Sequence, residues 1–421
     1  MDGSLIKFLD EIKFEYHKEA LAREYEVSRL LKESQGKLHA QVFGVKDSEL
    51  TSSGNIVDTR EKMLKALNSI NLEEAYYKLL NSFTTNSKAN IIGSPNLFET
   101  SNGLKSLPFV KFYEKDGGYY LTSSIIISCF NNICNASIHR IMLLNEKEAV
   151  IRLVPRHLYY LYNEAKRKGV DLPVTVVVGV HPAIILASAT SPPLGYYEIN
   201  AAANLLGSLE LYKSPVHNNP IPYGSAYIIE GYLTSRLVDE GPFVEAMGGY
   251  DIIRKQPILF AKKVYYKKDE TSHIILPGGF EHAMLMGFPR EATIYESVSK
   301  VVPKVYGVKL TFASGGWLHA IISIDKNHNG DAKNAILAAF AAHPSLKHVV
   351  VVDKDINIDD PNDVEWAIAT RFQANKDLIV INNARGSSLD PSSIDGLTSK
   401  MGIDATKPIN AGQEFERAKI P

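Results

Sequence analysis

The chain has 421 residues, 45% of them hydrophobic and 22% charged, enough to bury a large core divided among two or three domains. With 46 basic and 47 acidic side chains its net charge is −1, which argues against a strong overall field for recruiting nucleic acid or an anionic membrane. The opening MDGSLIKFLDEIKFEYHKEALAREY carries charges throughout, and no run reaches the ~18 apolar residues of a membrane span, so the sequence points to a cytoplasmic protein. Cys129 and Cys134 are the only cysteines, which fits free thiols in a reducing compartment better than a disulfide framework.

From Ser4 to about Leu31, apolar residues at three- and four-residue steps predict an amphipathic helix, and a helical, polar-rich region continues to about residue 85. Between Pro108 and Leu153, short β-branched and aromatic runs are punctuated by Asp116-Gly117-Gly118 and Asn145-Glu146-Lys147, which predicts antiparallel hairpins. From Arg156 helices and strands alternate: HLYYLYNEAKRKG as helix, PVTVVVG as strand, YYEINAAANLLG as helix, SAYIIEGYL as strand. A last α/β unit starts near residue 301, with strands in VKLTF, LHAIISI, HVVVVD and DLIVIN. The organisation expected is thus a helical or mixed region over 1–100, a central domain over 101–300 and an α/β domain over 301–421.

Five places along this order hold side chains with chemical potential. Asn135-Ala136-Ser137-Ile138-His139-Arg140 opens a strand-like run, and alternation puts Arg140 on one face with Ile138. Alone, Arg140 reads as a solvated strand-edge residue; its functional reading requires a carboxylate, from substrate or protein, to fill the guanidinium fork. Pro155-Arg156-His157 stands where a strand gives way to a helix, whose free N–H groups favour an anion. Glu198 falls in the first turn of a small-residue helix, either as a dipole partner or as a hard oxygen ligand beside Asn135 and His157. Glu240 and Glu245 flank Gly241-Pro242-Phe243-Val244, a sequence that presents two acids from a bent loop rather than a helix face. One could hold an arginine while the other, in a drier place, delivers a proton. Lys400, in Leu397-Thr398-Ser399-Lys400-Met401-Gly402, is placed in a polar, glycine-containing loop.

In identity, order and spacing the segments NASIHR, PRH, PVTVVVGVHPAIILAS, YYEINAAANLLG, SAYIIEGYL, DEGPFVEAMGGY, VVVVDKDINIDDPNDVEWAIATR and SKMGIDAT resemble the UbiD-like decarboxylases, from about residue 105 to 407. The resemblance implies a split β-barrel of the flavin-reductase type with α/β additions, joined to a C-terminal α/β domain that helps build homo-oligomers. It also implies prenylated FMN as cofactor, supplied by a separate flavin prenyltransferase, and decarboxylation of an α,β-unsaturated acid. Asn135, His157 and Glu198 match the family's ligands for a divalent cation, usually manganese, with magnesium the other hard-cation choice. Ser137, Ile138, Arg140 and Arg156 match the cofactor lining, and Lys400 a lysine that meets its phosphate. Ala187, Ser188 and Thr190 fall where the family offers oxygens to potassium. Arg140, Glu240 and Glu245 match its catalytic arginine and two acids.

Compact chains of this length resemble the archaeal branch acting on trans-anhydromevalonate 5-phosphate, for whose phosphate His139 and His282 are the nearest candidates. The alternatives are an aromatic-acid decarboxylase of the hydroxybenzoate type and a non-catalytic flavin-binding subunit. The sequence departs from the family at Val244, where a small residue is common, and is only weakly matched before about residue 100.

Overall fold

The computed structural model describes residues 1–83 and 86–418. They form two units, Met1–Leu285 and a second beginning at Met286.

The first unit is organised by two long neighbouring strands, Tyr227–Glu240 and Arg254–Tyr266, in a nine-stranded sheet. From one edge the order is Tyr120–Leu121, Ile141–Leu143, Glu148–Ile151, Arg254–Tyr266, Tyr227–Glu240, Leu172–Val178, Ile125–Phe130 and Ile133–Ile138, with Phe98–Glu99 also on Arg254–Tyr266. Every pairing is antiparallel. Among the described residues the path stays open, so the expected mixed α/β architecture is present without a closed ring of strands. Ile126, Leu172, Val174, Val176, Ile229, Leu233 and Leu259 form the buried face against Leu158 and Leu161 of the helix His157–Arg167. Their β-branched runs are what a buried strand favours. In the second unit a five-stranded sheet runs Lys304–Leu310, His319–Asp325, His348–Asp353, Leu397–Ala405, Leu378–Arg385, covered by the helices Asp331–Ala342 and Pro361–Arg371.

Three sequence expectations give way. The N-terminal helix stops at Leu9 after burying Leu5 and Phe8, and Phe14–Leu21 is a strand paired in parallel with Ala40–Val45. That strand is exposed along most of its length, so no buried alternation betrays it. NASIHR closes the strand Ile133–Ile138 rather than opening one, and His139-Arg140 is the link to Ile141–Leu143; Ile138 and Arg140 therefore share no strand face. Lys400 lies within the strand Leu397–Ala405, fixed by parallel pairing to His348–Asp353, not in a loop.

The cysteines are also not free. Cys129 and Cys134 face each other across the hairpin Ile125–Ile138 and form a disulfide. Strand register brings them together, which their spacing in the sequence does not reveal.

Among the described residues no helix is long and apolar enough to cross a membrane.

Candidate active site

Two adjoining groups of side chains project from one region of the large sheet. The first is built on Arg140. Leaving its strand at Ile138 frees this residue to point at the turn that follows the long strand ending in Glu240. Its Nε and Nη2 donate to Glu240 Oε1 and Oε2 at 2.8 and 2.9 Å, the bidentate fork that suits guanidinium and carboxylate. Nη1 donates to Glu245 Oε1 at 2.7 Å, and Nη2 also reaches Asp251 Oδ2 at 3.2 Å. The guanidinium carbon stands 4.6 Å from the centre of the Phe243 ring. Glu240 is fully buried, whereas the Glu245 side chain is 30% exposed.

The turn Gly241-Pro242 that separates the two acids is held from outside. Gly241 has φ 99° and the peptide to Pro242 is cis. Gly117 N donates to Pro242 O at 2.8 Å, and a Cβ on Gly117 would lie 2.1 Å from Gly241 O, so only glycine permits this approach.

Electrostatics divides the three acids. Burial raises the Glu245 carboxyl against the pull of Arg140, and the Asp251 charge adds to the rise. Asp251 would be raised by burial too, but hydrogen bonding to Arg254 and the charges of Arg140 and Arg254 bring it down to about 2. Arg140 itself, despite burial, is held protonated by Glu240 and Glu245. Arg140 thus holds a charged Asp251 on one side and, on the other, Glu245, whose carboxyl burial raises.

The second group centres on Glu198, at the start of the helix Glu198–Leu205 and buried. Asn135 Nδ2 donates to its Oε1 at 2.8 Å, Ala136 N donates to its Oε2 at 2.7 Å, and His157 Nδ1 lies 3.6 Å from Oε1. Burial lifts this carboxyl to about 7, outweighing the hydrogen bonds from Ala136, its own backbone N–H and Asn135. A buried carboxylate with no Lys or Arg paired to it among the described residues, together with an amide oxygen and a neutral imidazole, is a donor set that fits a hard divalent cation. Ser137 Oγ lies 3.0 Å from Asn135 Oδ1 and 2.9 Å from His139 Nε2, and its single proton serves one of them at a time. Nearby on the sequence, Arg156 caps the helix His157–Arg167 and reaches Ser191 Oγ at 3.3 Å.

The remaining candidates fare differently. In the helix Pro182–Ala189, Ser188 Oγ is buried with no hydrogen-bond partner among the described residues, while Thr190 N and Oγ1 both donate to Ala187 O. That orphan hydroxyl is consistent with a weakly held cation. His139 has both ring nitrogens engaged, Nδ1 with Arg152 O and Nε2 with Ser137 Oγ, and burial lowers it to about 4, so it is neutral and occupied. His282 Nδ1 accepts from Gly278 N at 3.1 Å, and burial, aided by the Arg140 charge, lowers it to about 4; its Nε2 is then a neutral donor. In the second unit the Lys400 ammonium donates to Pro344 O and Leu346 O at 2.6 and 2.5 Å, and a phosphate there would compete with both carbonyls. Asp251, Arg152 and Arg254 belong to the first group but were not expected from sequence. The one available signal was an acid six residues after Glu245, beyond a glycine pair.

Comparisons with known proteins show the family of the chain. The 3-octaprenyl-4-hydroxybenzoate carboxy-lyase Rift-related domain model matches residues 92–280, and the C-terminal domain model of the same carboxy-lyase matches residues 283–405. The anhydromevalonate phosphate decarboxylase of Aeropyrum pernix is 52% identical over 424 residues, covering 100% of this chain and 96% of that protein. The protein of the same name from Methanocaldococcus jannaschii is 44% identical, covering 95% and 96%. Among solved structures, the UbiD-class enzyme HmfF from Pelotomaculum thermopropionicum in complex with FMN superposes with a TM-score of 0.93 at 34% identity, covering 99% of this chain and 97% of that one. The apo 3,4-dihydroxybenzoic acid decarboxylase of Klebsiella pneumoniae shares the fold, with a TM-score of 0.90 at 21% identity over 99% of this chain and 96% of that one.

Proposed function

The chain belongs to the UbiD family of carboxy-lyases and is a decarboxylase, and on that premise we propose that it converts trans-anhydromevalonate 5-phosphate to isopentenyl phosphate and carbon dioxide, using prenylated FMN and a divalent cation. The observation that carries the reaction is Glu245, a partly exposed acid inclined to hold a proton and bonded to a guanidinium that a substrate carboxylate could occupy. The substrate is suggested by the likeness, along the whole chain, to the Aeropyrum pernix and Methanocaldococcus jannaschii enzymes.

Asn135, His157 and Glu198 would hold manganese or magnesium, whose positive charge would favour the flavin phosphate. Ser137, Ile138 and Arg156 would line the flavin, and Ala187, Ser188 and Thr190 would supply oxygens to potassium. Bound prenylated FMN supplies the electron sink for loss of carbon dioxide.

The protein's share is orientation and proton control. Of the acids on Arg140, Glu240 is sealed and 0% exposed, and Asp251 is 11% exposed; Glu245 is the one an incoming carboxylate can displace. Protonation of Glu245 weakens its hold on Nη1, which frees that N–H for the substrate carboxylate. The same proton is then available to the carbon that carbon dioxide vacates. Glu240 keeps Arg140 aimed throughout. The substrate phosphate requires donors of its own, and His282 Nε2 is our first choice.

The test is carbon dioxide release by the flavin-loaded protein from trans-anhydromevalonate 5-phosphate, its dephosphorylated form and 4-hydroxybenzoate. We expect the phosphorylated acid to be turned over fastest, since remote binding helps hold the double bond in place. Equal or better turnover of either phosphate-free acid would overturn the substrate and leave the decarboxylase in place.

A further inference from the structure

We propose that Asp251 is a positioning residue of the active site: it anchors the second edge of Arg140 and, by its charge against the Glu245 carboxyl, keeps the catalytic proton on Glu245. The proposal rests on the reading of Glu245 as proton donor.

Asp251 is the meeting point of three guanidinium groups. Its Oδ2 accepts from Arg140 Nη2 at 3.2 Å and lies 3.5 Å from Arg152 Nε. Its Oδ1 accepts from Arg254 Nη1 and, at 2.9 Å, from Ile252 N. The short antiparallel pair Phe243–Val244 and Tyr250–Asp251 fixes Asp251 opposite Phe243, two residues before Glu245. This places Glu245 and Asp251 on neighbouring nitrogens of one guanidinium, where the charge of Asp251 bears on the Glu245 carboxyl. Two carboxyls crowded on one cation disfavour double ionisation, so one of them is inclined to carry a proton.

Which carboxyl keeps it follows from the neighbours. Around Asp251 stand Arg140, Arg152 and Arg254. Glu245 faces Arg140 and Asp251, with Gly278 and its partner His282 close to its backbone. Behind Arg140 are the sealed Glu240, which also faces the Tyr120 hydroxyl, and Asp116. Three cations on one acid and one on the other put the negative charge on Asp251 and the proton on Glu245. With the proton on Glu245, Arg140, Arg152 and Arg254 exceed the charges of Glu240 and Asp251 by one. A substrate carboxylate entering this group brings these side chains to balance while Glu245 keeps its proton.

The experiment is the pH profile of kcat/KM of the flavin-loaded holoenzyme, wild type against Asp251→Asn, with Glu245→Gln alongside and flavin content read by absorption. A general acid works only while protonated, so the rate falls above its pKa. Removing the Asp251 charge lowers the Glu245 pKa, and the alkaline limb should move down by about one pH unit. The substrate's own titration is common to both proteins and cancels. Arg254→Leu, which removes a cation from the pair, should move the limb up instead, and it carries the test if Asp251→Asn loses its flavin. A lower rate with the limb unmoved in both variants would reduce Asp251 to a structural contact and overturn the proposal, provided Glu245→Gln is still impaired. Full activity in Glu245→Gln would instead overturn the reading of Glu245 on which the proposal stands.

Discussion

Arg140 in the first unit and Arg371 in the second are each gripped by acids, yet only one is arranged for chemistry. Arg371, with a side chain 0% exposed, donates to Asp353 Oδ2 at 2.8 Å, to Asp355 at 3.1 and 2.7 Å, and to Phe415 O at 3.1 Å. Its more exposed acid, Asp355, is 35% exposed, close to the 30% of Glu245. The two acids shift in opposite directions. Burial would raise Asp355, but the hydrogen bond and charge of Arg371, with the Lys407 charge, lower it. Burial raises Glu245, and Arg140 does not fully oppose it because Asp251 pushes the same way. Exposure and a guanidinium partner are thus common to both sites. Both arginines hold a second acid; what separates the sites is that burial, helped by the charge of Asp251, outweighs the guanidinium at Glu245, whereas Arg371 and Lys407 outweigh burial at Asp355.

The sharpest way to break this contrast is Glu245→Gln, which keeps the shape and removes the titrating proton. Decarboxylation should fall by roughly 10²–10⁴-fold, with flavin content unchanged; wild-type turnover would erase the distinction between the two clusters. Arg371→Met should leave the chemistry alone and instead cost about 3–5 kcal/mol of stability, since it strands the Asp353 carboxylate, only 12% exposed, without its guanidinium. Denaturant unfolding at pH 7 checks this, and a loss below about 1 kcal/mol would class the cluster with surface ion pairs.

Glu198 extends the comparison to a buried acid with no arginine. Manganese titrated into flavin-free wild-type protein should raise the melting temperature, by the equivalent of about 2.7 kcal/mol at a hundredfold excess over Kd. Glu198→Gln should lose most of that response. The smallest effect belongs to Asp355→Asn. The folded Asp355 titrates below its ordinary range, so its stabilisation is present at neutral pH and lost as pH falls through the folded value. The variant should be slightly less stable than wild type at pH 7, by under about 1 kcal/mol given the exposure, and the two should converge in acid. A difference that grows on acidification would contradict the assigned direction.

Much of this was legible in the chain because it depends on local pattern. The turns at Asp116-Gly117-Gly118 and Asn145-Glu146-Lys147, the helix starts at His157 and Glu198, and the break after Glu240 are written in glycine, proline and hydrophobic period. The conjunction of Asn135, His157 and Glu198, three residues from separate elements that the structure brings together, is legible only through the resemblance to the UbiD-like family. What the chain concealed is set by partners distant in sequence. Phe14–Leu21 and Leu397–Ala405 are strands because of backbone pairing to Ala40–Val45 and His348–Asp353, while their side chains are largely polar. Asp251 reads as a loop acid until Arg140, 111 residues earlier, is placed against it. The Cys129–Cys134 bond likewise depends on hairpin register.

The glycine at position 117 has a bearing on how this protein can change. It lies far from Glu240 and Glu245 in the chain and bears no functional group, yet its backbone holds the carbonyl of Pro242, and no side chain fits in the gap to Gly241. In a saturation mutagenesis library scored for growth, position 117 should therefore tolerate substitution as poorly as the catalytic acids themselves. An evolutionary drift that enlarges the Asp116-Gly117-Gly118 turn would have to remodel the acid-bearing turn in the same step. Two stretches more than 120 residues apart thus form a single unit of inheritance.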